Sequence, residues 1–182
     1  MRQPTASTGR ARARPRCLRP QLKRDPLGLM PDSRALSVRG ALRPLIDKLM
    51  WDAGWAGDIA WFQFGPRFTA WDRQGRSREV GEYALHISCA WIWKTETGYV
   101  RADEDSPDLS ALGALSALVE TVGADASGGL ELRFSNGDCL RVDADATVEG
   151  SGEEVEFWRL LQPGRQTPHV VSSNVGVQWH EA

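Results

Sequence analysis

Between residues 82 and 94, Tyr83, Leu85, Ile87, Cys89, Trp91 and Trp93 share one parity, while Glu82, Ala84, His86, Ser88, Ala90 and Lys94 take the other. A helix would spread those six residues around its circumference, whereas a pleat places all of them on one face. Only Ile92 interrupts the alternation. The pattern predicts one long strand, buried on one side and wet on the other, and makes an antiparallel sheet the body of the fold.

Other stretches extend that sheet. Residues 58–64 carry an apolar run on both parities that stops at Gly65-Pro66, which predicts a central strand covered on both faces. Leu132 and Phe134 lead into Asn136, Gly137 and Asp138, and Leu140 and Val142 follow. A three-residue loop over 136–138 pairs Phe134 with Leu140 and Leu132 with Val142, keeping the apolar side chains together; a two-residue turn mixes the faces. Strands over 155–161, 169–172 and 175–179 complete the set, the last two joined at Ser173-Asn174.

Two helices are expected beside the strands. Leu42, Leu45, Ile46, Leu49 and Met50 fall at three-and-four spacing, which with Pro44 in a first turn predicts a helix over 44–53. Ser106 as cap, Pro107 at the first position and a stripe of Leu109, Leu112, Leu115, Leu118, Val119 and Val122 predict a second over 106–122, stopped by Gly123. The expected class is α+β: a mainly antiparallel sheet of about six strands with one or two packed helices, in a single domain over residues 33–182.

The formal charge of −2 conceals a division. Residues 1–24 hold eight basic side chains and no acid, interleaved with Ala and Pro. So little apolar surface cannot offset chain entropy, and residues 1–32 are expected to be a disordered arm. Such an arm grips phosphates without reading bases; equally, its composition suits an upstream stretch that is not translated, with Met30 as the start. Residues 102–156 carry fourteen acids against two bases, Arg133 and Arg141. That surface repels nucleic acid, so nucleic-acid binding rests on the arm 1–24 alone, and it attracts a basic protein. No segment reaches the roughly 18 apolar residues of a membrane span. Cys17, Cys89 and Cys139 are too few for a disulfide framework, so a reducing cytoplasm is the expected compartment.

Motifs for chemistry fail one after another. His86 and Cys89 with Cys139 and His169 supply zinc-ligand types, but residues three apart on a strand point to opposite faces, so neither metal nor cofactor is expected. Asp143, Asp145, Thr147, Glu149 and Glu154 match positions of a calcium loop, yet Val148 stands where glycine is needed. There is no nucleophile elbow and no phosphate loop. Catalytic residues are therefore not assigned.

Tryptophan content points elsewhere. Of eight Trp residues, Trp61, Trp91 and Trp93 are core candidates by strand parity, while Trp55 and Trp71 lie in Gly-rich and Arg-rich surroundings and are candidates for an interface. A pocket around His86, with its same-parity neighbours Glu82 and Ser88, is the alternative, serving a small-molecule binder or a hydrolase.

Asp58-Ile59-Ala60-Trp61-Phe62-Gln63-Phe64-Gly65, Tyr83-Ala84-Leu85-His86-Ile87-Ser88-Cys89-Ala90-Trp91, Glu156-Phe157-Trp158-Arg159-Leu160-Leu161 and Pro168-His169-Val170-Val171 together resemble a family of small uncharacterised bacterial proteins over residues 40–179. Ile92 departs from the Arg expected after that Trp. The resemblance implies one intact domain beginning after the basic arm, and implies no activity. The functional expectation is a non-catalytic protein-interaction domain, an antagonist of a basic partner such as a toxin or a nucleic-acid enzyme.

Overall fold

The computed structural model describes residues 33–72, 74–102, 108–109, 112, 116–144, 154–165 and 167–181. The arm 1–32 and most of the calcium-like loop lie outside the described residues. Among the described residues the chain forms α1 (Ser33–Leu42), a 3-10 turn (Arg43–Leu45) and eleven strands. These are β1 (Leu49–Ala56), β2 (Ile59–Trp71), β3 (Ser77–Ile87), β4 (Ala90–Lys94), β5 (Tyr99–Arg101), β6 (Ala117–Ala124), β7 (Leu130–Phe134), β8 (Cys139–Asp143), β9 (Glu156–Leu161), β10 (His169–Ser173) and β11 (Gly176–His180). They make one sheet in the order β11-β10-β9-β3-β2-β1-β6-β7-β8-β4-β5, and its pairings are antiparallel. The six-strand α+β expectation is therefore overturned: among the described residues the fold is an eleven-stranded antiparallel sheet with one short helix.

The first expected helix fails for identifiable reasons, and so does the described C-terminal part of the second; residues 106–107, 110–111 and 113–115 of the second lie outside the described residues. In the first, Pro44 sits in the 3-10 turn and Asp47 adopts φ 63°, a left-handed conformation that ends right-handed winding. The chain then enters β1, where a bulge between Met50 and Asp52 lets consecutive Met50 and Trp51 both be buried. In the second, Ser116 has φ 41° and β6 follows. A bulge between Val119 and Thr121 resets the pleat, so Val119 and Val122, three apart, are both buried. A bulged strand thus imitates helical spacing. The helix that does form, α1, buries Val38 and Leu42, four residues apart on one side.

The strand expected over 82–94 is two strands. It breaks at Ser88-Cys89, where the chain passes from β3, beside β2 and β9, to β4, beside β8 and β5. The buried parity survives the break, since Leu85, Ile87, Trp91 and Trp93 are all in the core. The sheet curls so that its two parts face each other. Phe62 of β2 stacks on Trp93 of β4 at 5.9 Å and 12°, and Trp93 meets Phe134 of β7 at 4.6 Å. Trp158 Nε1 of β9 and Ser172 Oγ of β10 both donate to the Gly128 carbonyl, at 2.8 and 3.2 Å, tying the β6–β7 loop to the far part.

The β7–β8 connection has the expected three-residue length but lies one residue earlier, over 135–137, with Leu132 opposite Leu140 and Leu130 opposite Val142. Gly137 takes φ 91°, and Asn136 Oδ1 accepts the Asp138 N–H at 3.1 Å. Together these fix the turn. The shift moves register by two, so the apolar residues keep their face and Asp138 is drawn inward. The last hairpin also moves by one residue, Ser173 pairing with Gly176. No described helix is long and apolar enough to cross a membrane.

Candidate functional site

β2 does not stop at Gly65-Pro66. Gly65, at φ 78°, lies in a bulge between Phe64 and Arg67, and Gln63 Oε1 accepts the Gly81 N–H there at 2.8 Å. β2 and β3 continue beyond it as an arm to Trp71 and Ser77. Asp72 ties the tip: Oδ1 accepts the backbone N–H groups of Gln74 and Arg76 at 2.8 and 2.9 Å, and Oδ2 accepts Arg76 Nε at 2.7 Å. The N–H and side chain of Arg76 hold the Asp72 carboxyl below its ordinary range. This closed loop sets Trp71 at the end of β2 with 71% of its surface in water.

A cleft of about 620 Å³ separates that arm from the β9–β10 loop. Phe68, Trp71 and Leu161 give it apolar walls, Arg78 and Arg165 give it cationic ones, and His169 and the Asp72 carboxylate, held by Arg76, also line it. The loop is shaped by Gly164, at φ 75° and so close to Phe68 that an added Cβ would stand 2.9 Å from the ring. The Arg165 N–H donates to the Gln162 carbonyl at 3.2 Å, and Thr167 Oγ1 donates to Gln162 Oε1 at 3.1 Å. Arg78 and Arg165 make no ion pair among the described residues.

Beside the cleft, register sets two polar pairs on one face. His86 pairs with Arg159 across β3 and β9, and His169 pairs with His180 across β10 and β11. Arg159 is clamped by Glu156, with Nε at 2.6 Å from Oε1, which raises the guanidinium pKa further. Burial, then the Arg159 charge, lowers the pKa of His86 below the ordinary histidine value. Burial, Arg159 and His180 lower that of His169 likewise.

The residues singled out in the sequence are not brought together. Trp71 stands exposed on the cleft, but Trp55 is half-buried with its ring 5.8 Å from that of Trp91. His86 is half-buried on β3. Glu82 is drawn away to Lys48, at 2.5 Å. Ser88 lies past the end of β3, exposed, its N–H donating to the Phe157 carbonyl at 2.9 Å. Cys139 is buried on β8 and Cys89 lies in the β3–β4 link. No group of three or more His, Cys, Asp and Glu among the described residues is placed to hold a metal ion. Arg78, Arg165 and the cleft were not among the candidates, since an Arg at the end of a strand gives no local signal when the β9–β10 loop that faces it is 84 or more residues away in the chain.

Fold and cleft define an all-antiparallel β protein with an aromatic, cationic groove on one arm. No family model, curated protein or solved structure matches the chain.

Proposed function

We propose that the protein is a non-catalytic interaction module, and that it engages its partner through the cleft beside Trp71. The observation that carries this reading is the pairing of a 71%-exposed Trp, fixed by a closed loop, with the cleft it borders. A rigid aromatic anchor next to a recess is the arrangement from which binding hot spots are made. The polar complement follows from the charges. Arg78 and Arg165 carry no ion pair among the described residues, so the preferred occupant is a protein segment with an apolar side chain for the Phe68 and Leu161 walls and a carboxylate for the guanidinium groups.

A second reading, capture of a basic partner, is favoured by the fourteen acids of residues 102–156. Several of them are already engaged: Glu131 with Arg133 at 2.7 Å, Asp143 with Arg141 at 2.7 Å, and Asp138 with Trp93 Nε1 at 3.1 Å. Selection from a random displayed-peptide library distinguishes the two. The cleft reading expects enrichment of Asp or Glu beside an apolar residue, lost for Arg78→Glu/Arg165→Glu. Enrichment of Lys and Arg that survives that change supports the second reading, and absence of any enrichment refutes both.

A further inference from the structure

We propose that His169 and His180 form a two-imidazole site for a borderline divalent cation such as Ni(II), Cu(II) or Zn(II) at the open edge of the sheet. These two of the chain's three histidines stand directly opposite each other on β10 and β11. Side chains of an antiparallel pair project to the same face with Cβ atoms about 5 Å apart. Their rings lie 6.0 Å apart between centroids and within 23° of parallel. Metal–nitrogen bonds of about 2.0–2.1 Å let two imidazoles at that separation meet one ion after side-chain rotation alone. The strand pairing has already fixed the backbone, so little further order has to be imposed.

A second observation comes from His180. Its Nε2 is shielded from solvent and has no hydrogen-bond partner. A nitrogen in that position costs free energy unless a ligand engages it. Imidazole nitrogen is the donor type that suits Ni, Cu and Zn, and water would complete the coordination. The cation Arg159 is neighbour to this pair, but Glu156 binds it and offsets its charge. The bound ion would clip the edge strand β11 to β10, and because His169 also lines the cleft, it would add positive charge at the cleft wall.

The test is calorimetric titration of the tag-free, chelator-stripped full chain with Ni(II) alone. One ion per chain is expected, with affinity weakened roughly tenfold or more in His169→Asn and in His180→Asn. His86→Asn, on the same face but outside the pair, is expected to stay within about twofold. Ni(II) should raise the melting temperature of the parent chain and not that of the two pair variants. Both Asn variants keep a polar group of similar size, and far-UV circular dichroism confirms their fold. Absence of binding to the parent chain, or binding and thermal stabilisation that persist in both variants, overturns the site.

Discussion

Asp138→Ala tests the β7–β8 register through a single buried hydrogen bond. Trp93 is 0% exposed, enclosed by Phe62 and Phe134, and its Nε1 donates to Asp138 Oδ2 at 3.1 Å, Asp138 as a residue being 5% exposed. Removing the acceptor strands an indole N–H among aromatic rings, where water does not reach it. Losing a hydrogen bond to a charged group costs about 1.5–3 kcal/mol, and leaving a buried donor unsatisfied costs about 1–3 kcal/mol; these describe one event from two sides, so the expected loss is about 2 kcal/mol. Asp138→Asn keeps an acceptor and should lose about half as much or less. In a Trp93→Phe background the donor is gone, so Asp138→Ala should then cost little, giving a coupling of about 1–2 kcal/mol. Urea unfolding of the four variants measures this cycle. A loss for Asp138→Ala below about 0.5 kcal/mol, with no coupling, would refute the reasoning, because that is what a loop over 136–138 with an exposed Asp138 gives.

Three further outcomes follow from the same structure. Trp71→Ala should leave stability within about 0.5 kcal/mol, since the side chain is mostly in water, yet weaken partner or selected-peptide binding by roughly tenfold or more; equal binding in both proteins would contradict this. Gly164→Ala, at φ 75° and against Phe68, should cost about 1–2 kcal/mol and also impair peptide binding by displacing the cleft wall, whereas Gly75→Ala, at φ 76° with nothing near its added Cβ, should cost the backbone strain alone. His86 has a native pKa below its unfolded value, through burial and then the Arg159 and Arg78 charges, with Glu156 opposing. The unfolded chain therefore binds the proton first, so this contribution is complete above about pH 6.5 and is lost as pH falls below it. His86→Gln should reduce the loss of stability that the parent shows as pH falls below about 6.5, with the His169 contribution remaining, and superimposable profiles would contradict the shift.

Much of the sheet was legible because alternation survives local accidents. The parity of Leu85, Ile87, Trp91 and Trp93 gave the right buried face even though the chain changes partners at Ser88-Cys89. The β7–β8 turn was legible in length and face, while its exact placement depended on Gly137 taking the left-handed position. A bulge and a left-handed residue were the sources of error in the two helices. The bulge at Glu120 inserts a residue into the pleat, so that Val119 and Val122 are buried three apart as on a helix, whereas the spacing over 42–50 misled because Asp47 turns the chain into β1. Of the candidate site, only Trp71 was found, from its Arg-rich setting. Arg78, Arg165 and His169 meet only because β9 pairs with β3 across a long stretch of chain, and no local pattern encodes that pairing.

The binding role of the cleft is most directly tested by backbone amide exchange of the protein with and without an acidic peptide obtained by selection. The account predicts slowed exchange in residues 69–72 and 162–165, on the two walls of the cleft, with β6, β7 and β8 unchanged. Protection confined to residues 117–143, or none while the peptide is bound, would contradict it.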